Sequence, residues 1–190
     1  SENNITNNHE YGIWLHESSN NTIYGNNITN NQYGIYIHYS SNNSISENIV
    51  TNNSNGIRLD SSVDNTVSDN NITASGIGIY IQGSNNSILG NSVMSNDLGI
   101  TIAWASNNTI AENKVAVNDQ GVLIMASSNN KIYHNNFTNN TDQVYIDYTY
   151  DDNAGANVWD CGYPSGGNYW SNYTGPVSYT HLRAHETVLD

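Results

Sequence analysis

Basic side chains are nearly absent from this 190-residue chain, whose length is about that of one domain. Lys and Arg total 4 against 17 Asp and Glu, which gives a formal net charge of −13. Without a basic patch, a nucleic-acid partner is not expected. A single Cys excludes a disulfide framework within the chain, and two Pro argue against a proline-rich linker. No run of about 18 apolar residues occurs, so no membrane-spanning helix is expected.

Asparagine is unusually abundant in this chain. It accounts for 37 of the 190 residues, while hydrophobic residues make up only 36 %, against roughly 45–50 % in an ordinary globular domain. Disordered chains share such a composition, but a tight internal repeat argues against disorder here. A Gly-aliphatic-x-aliphatic tetrad occurs six times, and a seventh copy at 143–146 has lost its Gly. The tetrads begin at Gly12, Gly34, Gly56, Gly78, Gly99 and Gly121, in steps of 22, 22, 22, 21 and 22 residues.

Two further aliphatic series keep the same step, and each member has Asn two residues before it. The series are Ile23, Ile45, Val67, Ile88, Ile110 and Ile132, and Ile28, Val50, Ile72, Val93, Val115 and Phe137. Each repeat therefore contains three short β-type segments, none long enough or correctly spaced for a helix. A unit of this kind predicts one coil of a right-handed parallel β-helix, with about seven 22-residue coils in an all-β fold.

The Asn and Gly residues are expected at the corners between these segments. Asn tolerates the left-handed backbone region, and stacked amides bond to the amides above and below. We expect two such ladders, along 26–135 and 21–130. The tetrad Gly is expected to allow a sharp corner. The step of 21 predicts one deletion within 82–85, and the longer spacing within 5–12 predicts one insertion.

The two ends of the chain differ from the repeats, which occupy residues 1–146. Because Ser1 enters within a coil, we expect the chain to be part of a longer protein. Residues 147–175 are aromatic and Gly-rich, which favours a loop-built C-terminal cap over the last coil. Residues 176–190 lack Asn and Gly and resemble translated adapter sequence at the end of a metagenome-assembled reading frame. We exclude this tail from fold and site reasoning.

The Asn-x-x-Ile and Gly-Ile-x-Ile coils resemble the NosD-type right-handed β-helix repeat family. The segments 157–160 and 162–170 are similar to the C-terminal cap of archaeal members, so the resemblance covers about residues 3–175. The family is common in surface and periplasmic proteins, which implies a periplasmic, cell-surface or extracellular location. Its copper-binding label implies copper as a cofactor and a role in supplying nitrous oxide reductase. The fold is also similar to that of carbohydrate-binding proteins and sugar hydrolases.

Two rows of outward side chains follow from strand alternation within the tetrads. The first row is Trp14, Tyr36, Arg58, Tyr80, Thr101, Leu123 and Tyr145, and the second is His16, His38, Asp60, Gln82, Ala103, Met125 and Asp147. Trp14, Tyr36 and Tyr80 predict a carbohydrate-binding platform, because sugar rings pack on aromatic rings. Arg58 beside them would bind hydroxyl groups. The alternative is that these aromatics are good strand residues that stack on one another.

Two candidate metal sites follow from the second row and the cap. His16 and His38 lie one coil apart, so their Cα atoms are expected about 4.8 Å from each other. Two imidazoles at that spacing can share copper or zinc, with Asp60 next in line, and the alternative is a solvated pair. Carboxylates near the cap suit calcium, although no regularly spaced Asp loop is present. They are Asp142, Asp147, Asp151, Asp152 and Asp160.

Catalytic residues are in short supply. Uronic-acid lyases need cations and a strong base, and glycosidases need two carboxylates about 5–9.5 Å apart. Asp60 has no acidic partner in an adjacent coil, and the net charge of −13 repels polyuronates. We therefore favour a non-enzymatic extracellular or envelope module that binds a polysaccharide or envelope glycan, or serves as a scaffold. The alternatives are a polysaccharide-processing hydrolase, lyase or epimerase that uses Asp60, His38 and His16, and a NosD-like copper-handling protein.

Overall fold

The computed structural model describes residues 1–149, 156–162 and 165–171, and these form a parallel β-solenoid. Every regular element within these ranges is a β-strand, and no helix occurs among them. Each coil supplies one six-residue strand and two three-residue strands, and each strand pairs in parallel with its counterpart in the next coil. The predicted all-β solenoid of about seven 22-residue coils is therefore confirmed.

Three sheets run along the solenoid. The long-strand sheet consists of β2 (Tyr11–His16), β5 (Tyr33–His38), β8 (Asn55–Asp60), β11 (Ile77–Gln82), β14 (Leu98–Ala103), β17 (Gln120–Met125) and β20 (Asp142–Asp147). The first short-strand sheet consists of β1 (Asn4–Thr6), β4 (Asn27–Thr29), β7 (Ile49–Thr51), β10 (Asn71–Thr73), β13 (Ser92–Met94), β16 (Lys114–Ala116), β19 (Asn136–Thr138) and β21 (Tyr169–Trp170). The second short-strand sheet consists of β3 (Thr22–Tyr24), β6 (Ser44–Ser46), β9 (Thr66–Ser68), β12 (Ser87–Leu89), β15 (Thr109–Ala111) and β18 (Lys131–Tyr133).

The core is a set of aliphatic columns enclosed by the three sheets. In a typical coil Ile35 and Ile37 point inward from the long strand, and both are completely buried. Ile45 and Val50 point inward from the two short strands of the same coil and are also completely buried. Because the neighbouring coils cover each layer, a few inward side chains per coil suffice. This explains how a chain with only 36 % hydrophobic residues folds.

Asparagine side chains line the corners inside the solenoid, and Asn70 shows the pattern. Its Nδ2 lies 2.9 Å from the carbonyl oxygen of Ile45 and 3.0 Å from Oδ1 of Asn91. Its Oδ1 accepts hydrogen bonds from the backbone N–H and the side-chain amide of Asn48, both at 2.9 Å. This buried amide therefore bonds to both neighbouring coils, as the ladder hypothesis predicts.

The structure contains three such ladders, one more than the sequence predicts. The two predicted ladders run through Asn26, Asn48, Asn70, Asn91, Asn113 and Asn135, and through Asn21, Asn43, Asn65, Asn86, Asn108 and Asn130. The third runs through Asn8, Asn31, Asn53, Ser75, Asn96, Asn118 and Asn140. Each of the three corners of a coil therefore carries its own column of polar side chains that bond between coils.

The tetrad glycines do not turn corners, so that prediction was wrong. Gly34, for example, is the second residue of β5 and is buried. A Cβ atom added to it would lie 2.6 Å from the carbonyl oxygen of Gly56 and 2.7 Å from Cγ1 of Val50. Both distances are shorter than real Cβ contacts allow. The glycine is needed because the backbones of adjacent coils and the core meet closely there.

Length changes between coils fall in corners, as the spacings predict. Ile5 pairs with Ile28, 23 residues on, whereas Tyr11 pairs with Tyr33, so the extra residue lies between β1 and β2. The deletion falls at Gly83, where the corner has φ +155° and a Cβ would lie only 2.0 Å from the carbonyl oxygen of Ser62. The strand register is preserved on both sides of each change.

The described part of the predicted cap covers the last coil. Asn157 and Asn168 extend two of the ladders by bonding to Asn130 and Asn135. Trp170 stacks on Phe137, with ring centroids 4.5 Å apart, and packs on the core. The predicted non-native tail, 176–190, lies outside the described residues, as do Asp151 and Asp152 of the possible calcium site.

Candidate functional site

The outward face of the long-strand sheet carries three rows of side chains, where sequence reasoning found two. The additional row begins with Tyr11 and Tyr33, the residues directly before the first two tetrad glycines. Gly12 has no partner in the strand register between β2 and β5. The Tyr11 ring stacks on that of Trp14, so Tyr11 lies on the outward side of the sheet. The signal was present in the sequence, because two tyrosines precede glycine at the 22-residue step.

These rows bring six rings together in the first two coils, and we call this group the aromatic array. Its members are Tyr11, Trp14, His16, Tyr33, Tyr36 and His38. Rings stack along each strand, as in Tyr11 and Trp14 at 5.0 Å between centroids. They also stack between coils, as in Tyr11 and Tyr33 at 5.4 Å. The array is therefore a single packed surface and not a set of isolated rings.

Mutual stacking covers much of the ring area, as the alternative reading of these residues predicted. Three rings at this surface, those of Trp14, His16 and Tyr39, nevertheless remain exposed to solvent. Trp14 is 49 % exposed, and Tyr39, whose ring centroid lies 4.1 Å from that of His38, is 58 % exposed. Sequence reasoning did not single out Tyr39. An exposed indole beside stacked rings offers an apolar surface with polar edges, which suits the C–H faces and hydroxyl groups of a sugar.

A charged cluster lies next to the array in the third coil. Both Nε and Nη2 of Arg58 donate to Oδ2 of Asp60, at 3.3 and 3.0 Å. The Tyr36 hydroxyl donates to the same oxygen at 3.1 Å. The guanidinium carbon of Arg58 sits 4.0 Å from the centroid of the Tyr80 ring, a cation–π contact. Two predicted ligand-binding residues, Tyr36 and Arg58, therefore meet at one carboxylate, and a third, Tyr80, packs on the guanidinium of Arg58.

The environment of this cluster raises the pKa of both Tyr36 and Arg58. Burial, together with the charge and hydrogen bond of Asp60, raises the pKa of Tyr36 to about 12. Burial by itself would lower the pKa of Arg58, but the hydrogen bond and charge of Asp60 raise it overall. Tyr36 is neutral and Arg58 charged at physiological pH, and Arg58 forms an ion pair with Asp60.

His16 and His38 lie side by side as predicted, but their arrangement does not fit a copper ion. Their ring centroids are 5.1 Å apart with the planes inclined at 29°, so the rings stack. Nitrogen lone pairs lie in the ring plane, and stacked rings do not direct them toward a shared point. Nε2 of His16 also lies 3.9 Å from a Glu17 carboxylate oxygen. Across the described residues, no three His, Cys, Asp or Glu side chains form a possible metal site.

The residues considered for catalysis are only partly assembled. His38 and Asp60 are register partners in adjacent strands, whereas His16 lies one coil further away. Oδ2 of Asp60 already accepts three hydrogen bonds from the chain itself. A substrate proton would have to compete with these donors for that oxygen.

The second half of the same face looks different. The two predicted rows continue there as Thr101, Ala103, Leu123 and Met125 in the fifth and sixth coils. Thr101 and Ala103 are buried and Leu123 and Met125 half-buried, so this part of the face is small, aliphatic and uncharged. The packed rings and the charged cluster therefore lie in coils one to four, and in the fifth coil Trp104, at the position equivalent to Tyr39, is a further exposed aromatic residue at 54 %.

The fold and this surface define the class of protein: a parallel β-helix repeat protein whose aromatic and charged side chains gather on one sheet. More specifically, the chain belongs to the NosD family, described as periplasmic copper-binding protein, whose model matches residues 1–175. That description agrees with the predicted periplasmic or envelope location. A search of the curated proteins finds no match. In the described part of the chain, no helix is long and apolar enough to cross a membrane.

Solved structures similar to this chain include enzymes of polysaccharide chemistry. A mutant of the periplasmic alginate epimerase AlgG shares 26 % identity with a TM-score of 0.72, over 76 % of this chain and 41 % of that chain. The A-module of the Azotobacter vinelandii mannuronan C-5 epimerase AlgE6 shares the fold, at 18 % identity and a TM-score of 0.56. That match covers 75 % of this chain and 50 % of that chain. This chain therefore spans half or less of these structures.

Proposed function

We propose that this chain is a non-enzymatic glycan-binding module of the periplasm or cell envelope, and that the aromatic array is its binding surface. The observation that carries the proposal is a packed group of rings on an outward face, with Tyr39 of the second coil 58 % exposed beside it. Exposed aromatic residues that join a contiguous apolar patch mark binding surfaces. The likeness to the alginate epimerase AlgG adds a link to polysaccharides.

The test is retention of the chain on a panel of neutral and acidic polysaccharides, with turnover followed in the same samples. New reducing ends, unsaturated ends and changes in uronate stereochemistry would each reveal an enzyme. We expect retention without any of these products. Trp14→Ala should weaken retention by about tenfold or more, because an exposed aromatic anchor carries much of the binding energy.

Tyr145→Ala is the matched control for this variant. Tyr145 occupies the same outward row and is 48 % exposed, close to Trp14 at 49 %, but it lies in the seventh coil outside the aromatic array. Its loss should leave retention unchanged. Equal loss in both variants, with both still folded by circular dichroism, would contradict binding at the array. No retention of any glycan would favour a purely structural scaffold.

A second candidate function is a polysaccharide-processing enzyme. The likeness to the alginate epimerase AlgG favours it, together with the meeting of His38 and Asp60 on neighbouring strands. In that function Asp60, His38 and His16 would be the candidate acid and base groups. Product formation that is lost in His38→Ala would establish this function and overturn the non-enzymatic one.

Copper handling rests on the description of the family alone. The stacked imidazoles of His16 and His38 give it no support. A copper titration that compares the chain with His16→Ala separates this function from the others. We expect the two titrations to coincide, and tight binding that His16→Ala abolishes would contradict us.

A further inference from the structure

We infer that the Arg58–Asp60 pair makes the glycan site selective for neutral sugars, and that Asp60 is the residue that excludes uronates. This inference rests on the proposed function and specifies its ligand class. It concerns which class of glycan the aromatic array binds, and the proposed function concerns whether it binds a glycan at all. The argument starts from where the cations of the chain lie.

Arg58 is the one Lys or Arg on the long-strand sheet within the described residues. Lys114 belongs to β16 and Lys131 to β18, so both lie on the short-strand sheets. Among the Lys and Arg residues of the described chain, only Arg58 lies on the same sheet as the array and could pair with the carboxylate of a bound uronate. Recognition of the carboxylate therefore depends on whether this guanidinium is available.

The guanidinium is already engaged. Two of its nitrogens donate to Asp60, and the Tyr80 ring lies against it at 4.0 Å. The side chains of Arg58 and Asp60 are only 22 % and 17 % exposed. Because Asp60 is two residues away in the same strand, it competes with an external carboxylate at a high effective concentration. Displacing it would leave a largely desolvated carboxylate without its partner, which is costly.

Tyr36 strengthens this arrangement from the neighbouring coil. Its hydroxyl donates to the oxygen that Arg58 contacts, and its raised pKa keeps it a neutral donor. The Asp60 carboxylate is therefore held from two coils and is not free to swing away. The long-range field acts in the same direction, because a net charge of −13 repels a polyanion at low ionic strength.

A neutral sugar meets none of these obstacles. Hydroxyl groups can bond to the polar edges of His16, His38 and Tyr39 without disturbing the ion pair. The site is then expected to differ from the solved relatives in ligand charge, because mannuronan, named for one of them, is a polyuronate.

The test uses cello-, manno- and galacto-oligosaccharides and the same oligosaccharides oxidised at C6 to uronates. These pairs differ in charge and keep the backbone of the sugar. The full chain should bind at least one neutral member several-fold to about tenfold more tightly than its oxidised form at low salt. In Asp60→Asn the gap should close or reverse, because Arg58 becomes available to the carboxylate.

Asp147→Asn is the matched control for charge. Asp147 lies in the same outward row as Asp60 but in the seventh coil, so its substitution changes the net charge equally without touching Arg58. It should not close the gap. The double variant Arg58→Gln/Asp60→Asn should lose the uronate binding gained by Asp60→Asn, since it retains no cation there.

The outcomes separate this inference from the proposed function. Equal binding of neutral and oxidised sugars by the unchanged chain would overturn neutral selectivity while leaving glycan binding in place. Equal gains in Asp60→Asn and Asp147→Asn would assign selectivity to net charge and overturn the role of the ion pair. Failure of every oligosaccharide to bind would overturn the proposed function and this inference together.

Discussion

The corners of the solenoid and the outward face of its long-strand sheet share one 22-residue step, but they use it differently. Along the inward ladder positions of the corners nearly the same side chain returns in every coil, and the exception at Ser75 keeps the hydrogen bonds. Along the face the side chain changes from indole to phenol to guanidinium within three coils. The repeated set is what neighbouring coils need in order to stack. The variable set is where binding chemistry can differ without loss of the fold.

Asn70→Ala should produce the largest effect and would break the corner side of this comparison. The change removes the side-chain bonds that join Asn70 to Asn48 and Asn91 and leaves the Ile45 carbonyl without this donor. With about 1–3 kcal/mol for each buried group left unsatisfied, we expect the free energy of unfolding to fall by roughly 3–5 kcal/mol. Urea denaturation measures it.

Asn71→Ala provides the matched control in the next position of the chain. Asn71 is exposed in β10, and its substitution should change the free energy of unfolding by less than about 0.5 kcal/mol. Similar losses in the two variants would show that the ladder amides are no more important than surface ones.

Gly78→Ala should have the second largest effect. The added Cβ would lie 2.6 Å from both the Gly99 carbonyl oxygen and Cγ1 of Val93, so adjacent coils must move apart. Overpacking of this kind typically costs about 1–3 kcal/mol. Thermal unfolding measures the loss, and Ser87→Ala, an outward change in β12, serves as the control. An unchanged melting temperature in Gly78→Ala would contradict the close approach that we describe.

Thr101→Val tests a polar group buried at the aliphatic end of the face. In the described structure the Thr101 hydroxyl is buried without a hydrogen-bond partner. Replacing it with a methyl group should leave stability unchanged or raise it by up to about 1 kcal/mol. Thr73→Val is the contrast, because that hydroxyl bonds to Thr51 at 3.1 Å and its loss should be slightly destabilising. A clear loss of stability in Thr101→Val would reveal a partner for the hydroxyl.

Tyr36 should give an effect that is visible only at high pH. Its pKa is about 12 in the folded chain, against about 10 in an unfolded one. The folded state keeps this proton after the unfolded state has released it, so stability falls as the pH rises from about 10 to 12. Tyr36→Phe should reduce that fall when unfolding is compared at pH 9 and 11. Tyr145→Phe, in the same row, should not reproduce the reduction.

The repeat made most of the fold predictable. Each strand has aliphatic residues at a constant step, so register, coil number and the two length changes followed from spacing alone. The third ladder was not predicted because most of its Asn residues do not stand two positions before an aliphatic residue, as nearly all those of the other two ladders do. Asn31 and Asn53 instead stand three positions before a tetrad glycine. The role predicted for that glycine was wrong because a single sequence does not show where two backbones approach closely.

The sequence predicted which residues share a row on the outward face, but it did not predict which side chains contact one another. Row membership places Tyr36 beside Arg58 and His38 beside Asp60. The structure adds the diagonal bond from Tyr36 to Asp60, which depends on side-chain rotamers and reach. This hydrogen bond joins Tyr36, a predicted ligand-binding residue, to Asp60, a predicted catalytic residue, in one cluster. Stacking of His16 on His38 is likewise a matter of ring orientation, which spacing does not determine.

The corners where residues have been gained or lost also have a practical use in protein engineering. The solenoid takes an extra residue between Asn8 and Tyr11 and omits one at Gly83, and neither change shifts a strand. Such a corner is a natural graft point for a tag, a fluorophore site or a protease site. Removal of one whole 22-residue unit would likewise keep every column aligned while shortening the rod by one coil. The chain can thus serve as a molecular ruler whose length changes in fixed increments.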